Sequence, residues 1–320
     1  MRLFSTYVLS LLCHVDCPSL IFSLIYISVC IVSRLSQNLR FRPAIVNSAS
    51  DNSISLDDTI IAPPPSSPPS SPSPGQIIDR VAAITDTQYT PQLIPLLLHY
   101  NAVLGPEWPI VFFTTQALID KHLVATSPEQ KISSAFKKAL AEKRIQTRIV
   151  PERFNLTDRQ GVNVYLADRW MWEELAPAKH VLIFQTDAIL CANSPYSIDD
   201  YLQYDFVGAY IPPATSNLYN GGLSLRNRTL IMEILDAGNK WKPHVEGEDV
   251  WFSKHMGNRN ANLPSEDVAR NFALQYPWNF NPDGRPIGYH KIHKNVPTKL
   301  HGIKAWCPEI MLTQMGTLMH

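Results

Sequence analysis

The chain has 320 residues and carries 28 Lys plus Arg against 28 Asp plus Glu, a formal charge of zero. With no basic field to hold a phosphate backbone, this balance argues against a nucleic-acid partner, and any anion must be bound locally. The length supplies material for a sizeable core and one or two domains.

Residues 3–32 are apolar but interrupted by His14 to Pro18. Neither half reaches the roughly 20 residues that cross a bilayer, whereas the whole stretch does if His14 and Asp16 sit near an interface. Residues 1–33 read as a signal-anchor, with a cleaved signal peptide as the alternative. Arg2 precedes the segment while Arg34, Arg40 and Arg42 follow it, a pattern that by itself favours a cytosolic C-terminal side. Residues 34–75 turn polar and then into a Pro/Ser run from Pro63, an extended stalk with serines open to O-glycosylation. Cys13, Cys17 and Cys30 fall in the apolar stretch; Cys191 and Cys307 are left, able to pair in an oxidising lumen. Sequons at Asn155 and Asn227 fit the same compartment. Anchor, stalk and domain suggest the secretory pathway, in the Golgi or ER membrane with a lumenal domain, or secretion as the alternative.

Residues 76–320 form the globular part. Val81 to Ile84 is a first strand ending at Thr85-Asp86. Pro91 to Leu104 reads as a helix with Leu93, Ile94, Leu97, Leu98 and Val103 inward. Pro109 to Thr114 is a second strand, Pro128 to Lys143 an amphipathic helix, Gln146 to Val150 a third strand and Tyr165 to Leu175 a helix. Val181 to Phe184 then forms a buried central strand opening at Gln185-Thr186-Asp187. Strand alternating with helix predicts an α/β fold whose first half is parallel, with ligands at the carboxyl ends of strands, so that one pocket can contain Thr85, Asp86 and Asp187. Later come strands at Tyr204 to Tyr210 and Leu223 to Leu225, helices at Arg228 to Gly238, Glu248 to Met256 and Ser265 to Leu274, and a loop-rich tail from Pro277.

Four stretches carry chemistry. Asp187 is poor strand material and costly to bury alone, so it needs a metal, a sugar hydroxyl or a base, or else it caps a turn. Asn220-Gly221-Gly222 lets backbone approach a ligand, or simply makes a tight hairpin turn; Arg226 nearby binds phosphate or decorates a strand. Glu248 and Asp249 open a helix and either cap it or supply a general base. The second Glu-Asp-Val, at Glu266 and Asp267, follows a Ser265 cap and reads as structural. His290, taken with Asp187, suits a hard or borderline divalent ion that also binds substrate phosphates.

Phe184 to Asp187, Asn220 to Arg226, Glu248 to Phe252 and Gly288 to His290 stand in an order similar to that of an uncharacterised, largely fungal family of glycosyltransferase-like domains, which in turn resembles the GT-A nucleotide-sugar transferases. The resemblance spans roughly Ile77 to Trp306. It implies a Rossmann-related mixed sheet flanked by helices and transfer of a sugar from a nucleoside diphosphate donor to the hydroxyl of a glycan, glycoprotein or small molecule. Asp187 and His290 would hold Mn²⁺ or Mg²⁺. Thr85, Asp86, Gln185, Thr186, Asn220, Gly221, Gly222 and Arg226 would meet the donor. Glu248 and Asp249 match the acid motif of inverting members. Gln185 departs from the pattern, since the GT-A Asp-x-Asp motif begins with Asp. The residues also leave open a non-catalytic sugar- or nucleotide-binding module, a nucleotidyltransferase and a nucleotide-sugar hydrolase.

Overall fold

A computed structural model describes residues 75–124, 132–212, 217–277, 280–281 and 283–313. The anchor, nearly all of the stalk, Cys13, Cys17 and Cys30 lie outside these residues. Among the described residues, no helix is long and apolar enough to cross a membrane.

The fold is mixed α/β. Six strands, β1 (Arg80–Thr85), β2 (Ile110–Thr114), β3 (Ile145–Ile149), β4 (His180–Phe184), β6 (Phe206–Tyr210) and β7 (Tyr219–Asn227), form one sheet in the order β3-β2-β1-β4-β7-β6. The first four run parallel, and β7 lies antiparallel to both β4 and β6. Strands β2 and β4 are buried at every position, as their continuous apolar runs require of a sheet covered on both faces. The chain winds outward from β1 to β2 and β3 on one side and returns to β4 on the other. The β1/β4 boundary is therefore the switch point at which sheets of this kind open a crevice beyond the carboxyl ends. A second sheet pairs β5 (Ala188–Leu190), antiparallel, with β9 (Gly288–His290), and β9, parallel, with β8 (Ala273–Leu274).

Eight of the helices flank these sheets: α1 (Leu93–Leu104), α2 (Ser134–Ala141), α3 (Arg159–Leu166), α4 (Arg169–Glu174), α5 (Arg228–Asp236), α6 (Glu248–Gly257), α7 (Glu266–Phe272) and α8 (Leu300–Trp306). On α1 the inward face runs through Leu93, Leu96, Leu97 and Tyr100, whose ring stacks on Phe184 at 3.7 Å. Val103 falls off that face and is exposed. The expected single helix from Tyr165 to Leu175 is two, because the Asp168 carboxylate accepts from Trp170 N–H and starts α4 anew, while Asp158 caps α3 through Gly161 N–H. Helix α2 begins at Ser134 with Ser133 as its cap; residues 128–131 of the helix expected from Pro128 lie outside the described residues. Ser265 precedes α7 but makes no side-chain cap; Glu266 instead pairs with Arg270 one turn on. The expected loop-rich tail holds β9 and α8.

The Asn220-Gly221 turn is corrected. These residues lie inside β7, and the β6–β7 connection falls between Tyr210 and Tyr219, with the pairing irregular at Gly208/Ala209. Strand pairing outweighs the local turn preference of Asn-Gly.

Of the two sequons, Asn155 is exposed. Asn227 has its amide nitrogen on Asp205 at 2.7 Å and its oxygen on Leu230 N–H as the cap of α5, so its nitrogen is already committed.

Cys191 and Cys307 form a disulfide that ties the end of β5 to the end of α8. Reducing it, or replacing both cysteines by Ala, is expected to lower the unfolding free energy by about 2–5 kcal/mol, since the bridge closes a long loop. Urea denaturation with and without reductant measures this, and an unchanged midpoint contradicts it.

Candidate functional site

A cleft of about 380 Å³ opens beside the switch point, bordered by Gln185 after β4, Asn220 to Gly222 of β7, Glu248 and Asp249 of α6, and Arg159 and Asn163 of α3. Lys291 and Lys294 complete its rim. It adjoins one cluster built on an imidazole and another built on an ion pair.

His290, at the end of β9, is fully buried. Its Nδ1 lies 2.9 Å from Gln275 Oε1, and its Nε2 lies 3.0 Å from Gln185 Oε1 and 3.1 Å from Asp187 Oδ1. β-Pairing explains the convergence, because Ala188 of β5 stands opposite His290. Asp187 Oδ1 is sealed from solvent and accepts no well-formed hydrogen bond, so the His290 approach is an electrostatic contact. Burial pushes the Asp187 carboxyl up, but His290 and Lys291 outweigh it and hold the group below its ordinary range.

This donor set fits a divalent cation. An orphaned buried carboxylate oxygen asks for one, and ligands about 2.0–2.1 Å from an octahedral ion stand about 3 Å apart, close to the spacings around His290 Nε2. Among the described residues, no three His, Cys, Asp or Glu side chains converge in this way. The third donor is the neutral amide of Gln185, which leaves one anionic ligand.

The second cluster is Arg226 with Glu248. Both are buried, and the guanidinium donates to the two carboxylate oxygens at 2.8 and 3.1 Å. Arg226 also donates to Ser224 Oγ at 3.0 Å and lies 4.6 Å from the Phe206 ring centre. Burial pushes the Glu248 carboxyl up and Asp249 adds to the rise, with Arg226 opposing; the net shift is upward. Arg226, expected at the donor, is thus committed to Glu248, and Glu248, expected as a candidate base, is locked in the same pair.

The two glycines make room for these clusters. A Cβ on Gly221 would stand 2.2 Å from Arg226 Nη2, and one on Gly222 would stand 2.1 to 2.2 Å from the His290 ring and 2.7 Å from Gln185 Oε1. Their role is close approach of side chains to the strand, not a turn. Asp249 is tied to the same strand: its Oδ2 accepts from Gly221 N–H at 2.8 Å and Asn220 Nδ2 at 3.3 Å, and its Oδ1 accepts from Val250 N–H at 2.8 Å. Half-buried, it borders the cleft and, unlike Glu248, is in no ion pair among the described residues.

Thr85 and Asp86 end β1 next to β4 but do not border the cleft. The Thr85 hydroxyl turns to Tyr165 Oη at 3.2 Å, and buried Asp86 accepts from Gln88 N–H at 2.8 Å. Thr186 is buried and also outside the lining. His293 contacts Ile310 O, away from His290.

Reading by motif missed Arg159, Asn163, Gln275 and Lys294. The Asp158 cap was the available local signal for the start of α3, which carries two of them. Lys291, in a left-handed conformation at φ 52°, directs its amide to Asp187 O at 3.0 Å. Burial lowers its amine below the ordinary lysine value, with Asp187 opposing.

A family profile described as "Protein of unknown function (DUF5672)" matches residues 144–290, from the start of β3 to His290. No curated protein matches the chain. Among solved structures, the apo form of the glycosyltransferase GlyE of Streptococcus pneumoniae aligns at 12% identity and TM-score 0.43, over 68% of this chain and 55% of its own. The mannosyltransferase PcManGT of Pyrobaculum calidifontis, in complex with GDP-Man and Mn²⁺, aligns at 12% identity and TM-score 0.39, over 61% and 57%. The inositol-1-phosphate CTP transferase of T. maritima aligns at 9% identity and TM-score 0.33, over 56% and 82%. The chain thus spans little more than half the length of the two glycosyltransferases. The functional reading rests on the site's own residues.

Replacing one member of the buried pair strands the other. Arg226→Met is expected to cost about 3–5 kcal/mol, and the double variant Arg226→Met/Glu248→Leu to recover most of that loss. Urea unfolding of both singles and the double checks this; strictly additive losses would show that the two are not coupled.

Proposed function

We propose that the chain is a glycosyltransferase that moves a sugar from a nucleoside diphosphate sugar to an acceptor hydroxyl, with inversion. The observation that carries this reading is one cleft lined by Gln185, the basic side chains Arg159, Lys291 and Lys294 and the carboxylate of Asp249, with Asp187 and His290 buried behind Gln185 rather than on the cleft wall. Cationic groups and a carboxylate in one cleft suit a substrate whose leaving group is a diphosphate and whose nucleophile must lose a proton.

A divalent cation, Mn²⁺ or Mg²⁺, held by Asp187, His290 and Gln185 would supply charge neutralisation on the departing diphosphate. The chain's own residues do the rest. Lys291 and Arg159 hold phosphate oxygens and stabilise the negative charge that grows as the sugar–phosphate bond breaks. Gly221 and Gly222 let the Arg226 guanidinium and the His290 ring pack directly against the β7 wall of the cleft. Asp249 takes the proton of the acceptor hydroxyl as its oxygen bonds to the anomeric carbon, a role that typically contributes about 10²–10⁴-fold. Gly221 N–H and Asn220 orient that carboxylate, and the Arg226–Glu248 pair fixes the start of the helix that presents it.

One observation favours a second reading. Gln185 gives the cation set a single negative charge, which suits a non-catalytic sugar- or nucleotide-binding module using the same cleft. The disulfide and the exposed sequon at Asn155 support a secretory-pathway setting for the domain, with residues 1–33 as anchor and 34–75 as stalk.

Thermal unfolding with a panel of nucleoside diphosphates and their sugars, with and without Mn²⁺, tests the proposal. A donor at about 100 times its dissociation constant contributes about 2.7 kcal/mol. A Mn²⁺-dependent rise that Asp187→Ala abolishes is expected, followed by release of nucleoside diphosphate when acceptors are added. Binding without turnover would favour the module, and no rise with any donor would overturn both readings.

A further inference from the structure

A second cavity, of about 210 Å³, lies next to the cleft and shares Arg159 and Asn163 with it. Its other walls include Gln160 of α3 and His244, Glu246 and Gly247 from the segment that leads into α6. Asn163 is buried, and its orientation is set by Glu248 N–H, which donates to its Oδ1 at 3.1 Å. That bond turns the amide's other end into a donor with no protein acceptor among the described residues, on a wall common to both cavities. That nitrogen is not sealed from solvent, so it is open to an acceptor oxygen on a ligand entering either cavity.

Asp249 lines the cleft and approaches the second cavity through Gly247. Its Oδ2 faces Gly221 of the cleft, while a Cβ on Gly247, which lines the second cavity, would stand 2.5 Å from its Oδ1. We infer that the second cavity is the acceptor subsite, that it takes a polyhydroxylated, carbohydrate-like acceptor, and that Asn163 Nδ2 reads one of that acceptor's oxygens beside the base. The lining explains the class. Amide, imidazole, guanidinium and carboxylate groups offer both donors and acceptors, as hydroxyls require, and little apolar wall is present to hold an aliphatic or aromatic ligand. The inference rests on the glycosyltransferase reading for its use of Asp249, whereas the subsite itself stands on the cavity and on Asn163.

The test is saturation-transfer NMR on the full chain with methyl glycosides of glucose, galactose, mannose and N-acetylglucosamine as probes, each with and without saturating UDP or GDP. At least one glycoside is expected to give a signal that survives the nucleotide. That signal is expected to fall by about fivefold or more in Gln160→Ala/His244→Ala and in Asn163→Asp, which keeps the oxygen facing Glu248 N–H but removes the donor. Circular dichroism confirms that each variant is folded, and the surface pair stands in if Asn163→Asp is not. No signal from any glycoside, loss of the signal on adding nucleotide, or full signal in the variants would overturn the subsite. Nucleotide binding without these glycoside effects would sink the subsite alone. Glycoside effects without nucleotide binding would leave the subsite and remove the donor cleft.

Discussion

The buried Arg226–Glu248 pair is the constraint on which the cleft's shape depends. Two charges taken out of water are tolerated only when their geometry is good and their remaining valences are met. Here a two-pronged contact, Ser224 Oγ and the Phe206 ring meet the guanidinium's needs. The pair joins β7 to the first residue of α6, and so fixes the carboxylate of Asp249 against Gly221 N–H. It also dictates Gly221, because a Cβ there would occupy the space of the guanidinium. Gly222 answers to the neighbouring constraint, the His290 ring, so adjacent glycines on one strand serve two clusters.

Much of the fold was legible. Strands β1, β2 and β4 show as apolar runs separated by helical periodicity, and the carboxyl end of β4 borders the cleft. Asp187 announces itself as an acid in an apolar strand, His290 gains weight only beside it, and the structure brings the two together through the pairing of β5 with β9. What escaped was set by tertiary contact. Asn220-Gly221-Gly222 has the chemistry of a turn, yet pairing with β6 and the side chains behind it make it strand. Glu248 and Asp249 look alike in sequence; only the position of Arg226, 22 residues earlier, separates a buried partner from an accessible carboxylate. Gln275 carries no local mark, and the Asp158 cap marks only the helix that bears Asn163, since one residue acts on His290 15 residues on and the other on Glu248 N–H 85 residues on.

The site's electrostatics follow from these assignments. With Glu248 neutralised by Arg226, the cleft holds Asp249 among Arg159, Lys291 and Lys294, and the orphaned oxygen of Asp187 lies behind Gln185. On the proposed reading, a neutral amide in place of a second carboxylate would leave a bound divalent cation more of its positive charge for the diphosphate, while the protein alone would hold that cation less tightly. The arrangement predicts that cation and nucleotide depend on each other, because each supplies part of what the other lacks.

Isothermal titration calorimetry of the chain with Mn²⁺ alone, with a nucleoside diphosphate alone and with each in the presence of the other measures that dependence directly. The account predicts that Mn²⁺ and the nucleotide tighten each other's binding by the same factor, about tenfold or more, as linkage requires of ligands sharing one site. Independent binding of the two, or nucleotide binding of equal strength with and without Mn²⁺, would contradict it.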